Sequence, residues 1–348
     1  MHVFIAGAGP VGLSAAIALT ARGHRVTIAD RAMGVTSESR AVAVNHNSLG
    51  LLAPSGVAQA ILETGETVRT VRIMKEDALL ARLKVPGQDR RWPTMVALPQ
   101  SETERLMETA FERIGGRVMW GHSLVTVSQT QAGVTATIRA DDTGAETVIE
   151  ADLALGAEGT HSVTREALGL RFEGRQLPTT WSLADITCDW PFAEQACAVI
   201  SDEGTINFLI TLGNGRFRAI GNHPDVLAVV ESMMRIEEVH WSNPFTVQLR
   251  VASAMGKGRI AIAGDAAHSH SPVGGQGMNL GIADAYAFAD AVDAGDLAPY
   301  MAERPGAARR VVARTDRAYR LLSSTSKGAR IARDTLLRSA GFVTRLLV

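Results

Sequence analysis

Val3–Leu19 reads VFIAGAGPVGLSAAIAL. The apolar run before Gly7 has the length and residue types of a short buried strand. After Gly12, apolar side chains recur at helical spacing as far as Gly23, a plausible stop. Between the two, Gly7, Gly9 and Gly12 stand at G-x-G-x-x-G spacing. Gly7 permits a tight turn, Gly9 lets a ligand approach the backbone, and Gly12 lets the helix pack closely on the strand. A second strand, RVTIAD at Arg25–Asp30, ends on a carboxylate. Strand, glycine turn, helix and acid fall within about 30 residues, the context that turns a weak glycine pattern into a dinucleotide-binding βαβ unit. The helix amino end offers N–H groups and positive dipole to a diphosphate, and Asp30 is placed to accept from a ribose hydroxyl.

A second glycine-rich loop lies far along the chain, GDAAHSHSPVGGQGMNLGIADA at Gly264–Ala285. It follows a buried strand at Arg259–Ala263 and opens a helix. Asp265 at the strand end can hydrogen-bond a sugar-like polyol. Gly274, Gly275 and Gly277 leave bare backbone beside a flat ligand, and the helix amino end faces a group that gains negative charge. A reduced flavin is such a group, because its N1–C2=O edge becomes anionic, whereas a nicotinamide needs no second site of this kind. The two loops therefore read as seats for the two halves of one flavin dinucleotide.

Length and composition agree with an enzyme of two domains, or of one large α/β domain with an insertion. The chain has 348 residues, 46% apolar and 20% charged, with a formal net charge of −1. That near-neutral balance does not point to nucleic acid. It is uneven, however. From Arg304 onward there are eleven Lys/Arg against Asp316 and Asp334, a net of +9, so residues 1–303 carry −10. The basic segment reads as the solvated face of closing helices. A membrane-surface or partner contact, with Leu336, Leu337, Phe342, Leu346 and Leu347 as its apolar side, is the alternative. Cys188 and Cys197 have neither disulfide-framework nor metal-ligand spacing, which suggests a reduced, cytoplasmic setting. No run of about 18 apolar residues spans a membrane, and the N-terminus lacks the basic region of a signal peptide.

Along the chain, Ser37–Val57 reads as a loop entering a helix. Leu98–Gly116 reads as another helix, with Ser101 and Glu104 suited to a capping box. Residues 117–159 alternate in the manner of strands broken at AGV and DDTGAE. From about Leu177 to Val251 the style changes: short β-like runs (INFLITL, FRAIG), Trp181, Trp190 and Trp241, and one helical stretch, Val226–Val239. The expected fold is α/β, a Rossmann-like FAD-binding domain with an inserted β-sheet substrate domain and C-terminal helices. Its boundaries are 1–176 and 252–303 for the FAD-binding domain, 177–251 for the substrate layer, with some strands drawn from 70–100, and 304–348 for the basic helices.

Three segments carry a family resemblance: Gly7–Gly12, ALGAEGTHSVTREALGL from Ala154, and GDAAHSHSPVGGQGMNLG from Gly264. Together they resemble the FAD-dependent aromatic hydroxylases, the p-hydroxybenzoate hydroxylase-like group A flavoprotein monooxygenases. The resemblance implies that Gly7, Gly9, Gly12 and Asp30 hold the ADP half of FAD. It implies that Arg40 reaches the diphosphate–ribityl region, Gln100 the ribityl chain, and Asp265 ribityl or diphosphate-side groups. Gly277, Met278 and Asn279 would meet the flavin ring, and Pro272 would lie near the ring where oxygen reacts. The implied cofactor-binding set also takes in Pro10, Val11, Arg31, Leu124, Glu158, Gly264 and Gly275. Arg40 as a surface ion pair and Gln100 as a helix cap are the plainer readings of those two residues.

The implied activity is hydroxylation of an aromatic or similar electron-rich planar small molecule. NADPH or NADH would supply electrons, O2 the oxygen, and a flavin C4a-hydroperoxide would transfer it. The implied partners are that small aromatic substrate and O2, in a monomer or homodimer. The chain would lack the extra C-terminal domain of larger phenol hydroxylase relatives. One departure stands out: the middle motif carries Glu158-Gly159 where the family usually has Asp-Gly, which puts pyridine nucleotide choice in question. Two other functions compete: a membrane-associated hydroxylase of a lipid-linked ring, docked by the basic helices, and a flavin-binding reductase, oxidase or sensor. His268 and His270, at i, i+2 with no third ligand nearby, make a poor metal site, so none is expected. There is no G-x-S-x-G elbow of a serine hydrolase. His223, Arg218 and His240 lie in the expected substrate layer, and no catalytic base is assigned among them.

Overall fold

The computed structural model describes residues 1–36, 41–85, 87 and 91–338. The opening motif folds as read: strand His2–Ala6, turn, helix Pro10–Ala21, strand Arg25–Asp30. The helix stops where the sequence suggests, since Gly23 takes φ +83°. Strand His2–Ala6 is the centre of a six-stranded sheet, with Arg25–Asp30 and Val118–Trp120 on one side. Leu153–Gly156, Ile260–Ile262 and the short Gly256–Lys257 lie on the other. All pairings are parallel except the last. Parallel strands buried on both faces are near-continuously apolar, as in Val3, Phe4 and Ile5 or Ile260, Ala261 and Ile262. Helices Pro10–Ala21 and Gly277–Asp293 pack together on this sheet through small residues. A Cβ on Gly281 would come within 2.5 Å of Val11 Cγ2, and one on Gly264 within 2.7 Å.

A three-stranded antiparallel ribbon, His122–Gln129, Val134–Ala140 and Glu146–Ala151, turns at the two sites expected. A small antiparallel sheet joins Ala43–Asn45, Met95–Ala97 and Glu66–Thr67, and the largest layer is an eight-stranded sheet built around two 17-residue strands, Phe172–Cys188 and Ile236–Ala252. Arg216–Gly221, Ile206–Gly213 and Ala196–Ile200 continue it, and Thr70–Lys75 and Ala78–Lys84 complete one edge. His268–Ser269 joins the opposite edge. The sheet thus reaches beyond 177–251 at both ends and takes two strands from the 70–100 region.

Two local expectations are corrected. The helix begun at Val226, capped by Asp225, ends at Met233. From Ile236 the chain is strand, because Ile236, Glu238 and Val239 pair with Cys188, Thr187 and Ile186, and that long-range ladder overrides local helical spacing. The capping box at Ser101 does not form. Pro99 already occupies the cap position of helix Gln100–Arg113, and Gln100 Nε2 instead donates to Glu104 Oε1 at 2.7 Å.

Among the described residues, the C-terminal part forms two helices, Ala298–Leu322 and Lys327–Arg338. Its charge is partly internal. Arg304 Nε donates to Asp284 at 2.6 Å, and Arg330 and Arg333 pair with Asp202. Arg309, Arg310, Arg314, Arg317 and Arg320 are exposed. Leu337 is buried, Leu336 is exposed, and Phe342, Leu346 and Leu347 lie outside the described residues. Among the described residues, no helix is long and apolar enough to cross a membrane.

Candidate cofactor and substrate site

The carboxyl ends of the parallel strands open on a cavity of about 1070 Å3, at the upper limit of the roughly 300–1,000 Å3 usual for small-molecule sites. One arm is lined by Gly9, Pro10, Val11, Asp30, Arg31, Gln100 and Glu158; Gly264, Asp265, Pro272, Gly275, Gly277 and Met278 border its middle. Most of the residues singled out from sequence are therefore brought together. Gly7 and Gly12 act behind the lining. At φ +97°, Gly7 makes a turn so tight that a Cβ would lie 2.4 Å from the Ala157 carbonyl oxygen, and a Cβ on Gly12 would lie 1.8 Å from Gly7 O. Gly9 is different. Its φ is −70°, and among the described residues the nearest atom to a Cβ there is Glu104 Oε1 at 3.9 Å, so they leave the space over Gly9 open.

Asp30 closes the turn: Oδ2 accepts from Ala8 N–H at 2.7 Å and Oδ1 from Ala32 N–H at 2.8 Å. Its carboxylate is fixed at the cavity edge with lone pairs to spare. Both helices that end on the cavity, Pro10–Ala21 and Gly277–Asp293, begin without a side-chain cap. Among the described residues no side chain accepts from their first N–H groups, and two positive helix ends face one space. Asp265, exposed into the cavity, accepts no hydrogen bond from any described residue.

Glu158 lines the cavity but spends its carboxylate locally. Oε1 accepts from Thr164 N–H at 2.9 Å and Thr164 Oγ1–H at 2.6 Å, and Oε2 accepts from Ser162 Oγ–H at 2.8 Å. The longer arm folds back to brace the short helix Val163–Ala167. Behind it, the Arg165 guanidinium donates to Thr160 O and Ala266 O, and burial pulls its pKa below the ordinary value.

Besides Gly7 and Gly12, two expected contacts among the described residues, Asn279 and Leu124, are not in the lining. Asn279 is buried as a stitch: Nδ2 donates to Ala43 O and Gly275 O, both at 2.8 Å, and Oδ1 accepts from Asn45 N–H at 2.9 Å. Its side chain is thereby committed to the protein, so any ring contact falls to its neighbours Gly277 and Met278. Leu124 packs in the cluster of Phe4, Val134 and Ile138 between sheet and ribbon, because a register shift between it and Val127 breaks the alternation and turns both to the same face. Arg40 lies outside the described residues. The histidine pair divides. His268 Nε2 is 2.5 Å from Asp284 Oδ2, in a buried network with Arg304. Burial opposes ionisation of Asp284, but His268 and Arg304 outweigh it and hold its pKa below the usual range. His270 lines the cavity, and burial lowers its pKa. Among the described residues, no group of three or more His, Cys, Asp or Glu could hold a metal.

Sequence reasoning passed over Glu104 as a cavity residue. It is 4% exposed, lines the site below Gly9, and burial raises its pKa to about 7. Its place was available from spacing, since Gln100 and Glu104 lie at i, i+4 on one helix face. The far arm is a pouch walled by Ile73, Leu183, Ile200, Phe208, Phe245 and Val247 of the eight-stranded sheet. Nearby, Arg218 is buried and makes a two-point pair with Asp185 at 2.6 and 2.7 Å, while its Nη1 donates to Ala41 O at 2.8 Å. That ties the sheet to the cofactor arm.

A Gly9 surface left open, two uncapped helix ends and an unengaged Asp265 fit a long anionic dinucleotide, with an apolar pouch beside its reactive end. The fold and site are those of a flavoprotein. The chain belongs to the FAD binding domain family, whose model matches residues 1–222 and 223–314. It is 33% identical over 312 residues to 6-methylpretetramide 4-monooxygenase of Streptomyces rimosus, which covers 83% of this chain and 55% of that protein. The chain thus spans about half the length of that curated relative. Among solved structures, it is similar to the OxyS anhydrotetracycline hydroxylase of Streptomyces rimosus (TM-score 0.81, 26% identity, 100% of this chain and 75% of that one). It shares its fold with p-nitrophenol 4-monooxygenase from Pseudomonas putida (TM-score 0.88, 23% identity, 99% and 95%). Sequence and fold relatives together are group A flavoprotein monooxygenases.

Proposed function

We propose that this protein is an FAD-dependent monooxygenase that hydroxylates an aromatic or similar electron-rich planar molecule, using NADPH or NADH and O2. The observation that carries the reading is one continuous cavity in which a two-helix anion seat runs into an apolar pouch. Relatives that hydroxylate ring compounds by name support it. In this reading, residues 1–176 and 252–303 hold the cofactor, and 177–251 with Thr70–Lys84 hold the substrate. The protein works in the cytoplasm, as its two free buried cysteines suggest.

When bound, FAD supplies the redox and oxygen chemistry. The chain supplies position and electrostatics. The Gly9 backbone and the N–H groups that open helix Pro10–Ala21 seat the diphosphate, and Asp30 takes the ribose hydroxyls. Gln100 and Asp265 orient the ribityl chain. Gly275 and Gly277 would offer bare backbone, and the uncapped start of helix Gly277–Asp293 its positive dipole, to the flavin ring, with the Met278 side chain beside it. Pro272 and the pouch walls keep water from the reacting face. The test is anaerobic bleaching of the bound flavin with NADPH or NADH, with and without phenols, aromatic acids and quinols, followed by product analysis in air. We expect one ring class to accelerate reduction strongly and to emerge hydroxylated. An enzyme that no pyridine nucleotide reduces, with any ring compound present, is not an NAD(P)H-dependent monooxygenase.

A further inference from the structure

The apolar end of the cavity is closed by residues outside the eight-stranded sheet. Leu337, 1% exposed, and Leu322 line it, and both belong to one packed cluster with Ile73, Leu183, Ile200 and Val247. Leu337 sits on the last described helix, Lys327–Arg338, whose other side carries exposed Ile331 and Arg338. A single short helix packed by one leucine would be a soft wall. This one is pinned. Arg333, one turn before Leu337, is fully buried, and its Nη1 donates to Ser201 O and Leu322 O, each at 3.1 Å. Its Nε donates to Asp334 at 2.9 Å. Lys75 Nζ reaches both Asp202 at 2.7 Å and Asp334 at 3.0 Å, and Arg330 reaches Asp202 at 2.9 Å.

The pins therefore run from the helix to the ends of strands Thr70–Lys75 and Ala196–Ile200. Ile73 and Ile200, which line the same pouch, belong to those strands. Wall and floor are held in one register by bonds that lie outside the apolar space.

We propose that Leu337 is the specificity-determining end wall of the substrate pouch, setting the longest ring system it admits, with Arg333, Asp202 and Lys75 as positioning residues. The proposal rests on the ring-substrate reading above and names the element that sizes it. In an apolar pocket each added or removed methylene shifts discrimination by about 10- to 200-fold. Shortening Leu337 must therefore favour longer rings selectively, whereas general loosening of the protein would weaken binding of all sizes alike.

The test uses the FAD-loaded full chain and three probes of one, two and three fused rings: phenol, 2-naphthol and 9-phenanthrol. Dissociation constants are read from the perturbed flavin spectrum without turnover. For Leu337→Ala we expect affinity for 9-phenanthrol relative to phenol to rise by about 10-fold or more. Leu337→Val, the milder change should the first variant fold poorly, should shift the ratio the same way by less. Ile331→Ala, on the exposed side of the same helix, should leave all three constants unchanged. For Asp202→Asn we expect the wild-type size ratio to flatten, a readout that simple destabilisation would not move. A wild-type ratio in both Leu337 variants overturns the proposal. If none of the phenols binds even the wild type, the ring-substrate reading is what fails, and the wall is judged by an inert apolar probe, iodobenzene, through its thermal stabilisation of each variant. Tighter iodobenzene binding in Leu337→Ala than in wild type upholds the wall, and equal binding overturns it.

Discussion

Gly9→Ala separates a glycine kept for a ligand from one kept for the fold. At φ −70° and ψ −174°, Gly9 has a backbone conformation that alanine adopts freely, and among the described residues its Cβ would approach nothing nearer than Glu104 Oε1 at 3.9 Å. Alanine at such a compatible site loses less chain entropy on folding, so the apoprotein should be unchanged or stabilised by about 0.4–1 kcal/mol. The methyl would instead fill the space the diphosphate needs. Pushing the diphosphate away forfeits one or two charge-assisted hydrogen bonds worth about 1.5–3 kcal/mol each, or roughly 10- to 100-fold in FAD affinity per bond. Gly7→Ala is the contrast. Its positive φ and a Cβ placed 2.4 Å from Ala157 O force the main chain apart, so that variant should lose several times about 1 kcal/mol of stability with or without ligand. The assay pairs thermal unfolding of the apoprotein with FAD titration by fluorescence quenching. A Gly9→Ala protein that binds FAD within a factor of about two of wild type would refute the seat assigned to the diphosphate.

Two pH responses follow from the buried and paired acids. Glu104 holds its proton to about pH 7 because burial penalises its charge. Between the ordinary carboxylate range and pH 7 the folded apoprotein binds more protons than the unfolded chain, so its stability falls as pH rises through that window, by up to about 3 kcal/mol. Glu104→Gln should abolish that fall, and urea titrations at pH 5 and pH 8 would read it; equal slopes with pH in both proteins would rule it out. The C-terminal pins act in the opposite sense. Hydrogen bonds from Lys75 hold Asp202 below its usual pKa, and Lys75 with Arg333 outweighs the burial that would raise Asp334. Their contribution is complete above the unfolded carboxylate pKa near 4 and is lost as pH falls through the depressed folded values. Lys75, raised by the same two acids, keeps its contribution until pH climbs past the ordinary lysine range. Amide exchange in residues 327–338 should therefore be slow across the neutral range and accelerate, relative to the core, below about pH 4. Uniform protection down to that pH would show that the helix is held by packing alone.

What the sequence makes legible here is what depends on neighbours in the chain. The turn at Gly7, the open surface at Gly9 and the stop at Gly23 obey steric rules that act within a few residues, and each stands where those rules place it. The failures share a different cause. Helical spacing at Val226–Val239 gives way where Ile236–Val239 meets strand Phe172–Cys188. Asn279 is drawn off by Ala43 and Asn45, more than 230 residues earlier. Even Glu158 is explained by its near neighbours Ser162 and Thr164 only once the chain's path is known. One long-range relation was nonetheless implicit in composition. Val11, two residues beyond Gly9, packs where Gly264 and Gly281 have no side chains, and any Cβ there would collide with it. Those two glycines fix the distance between the turn that seats one half of the dinucleotide and the loop that seats the other. A cofactor with rigid ends requires that spacing to be held before it binds, and Gly264 and Gly281, far along the chain from Val11, hold it by being small.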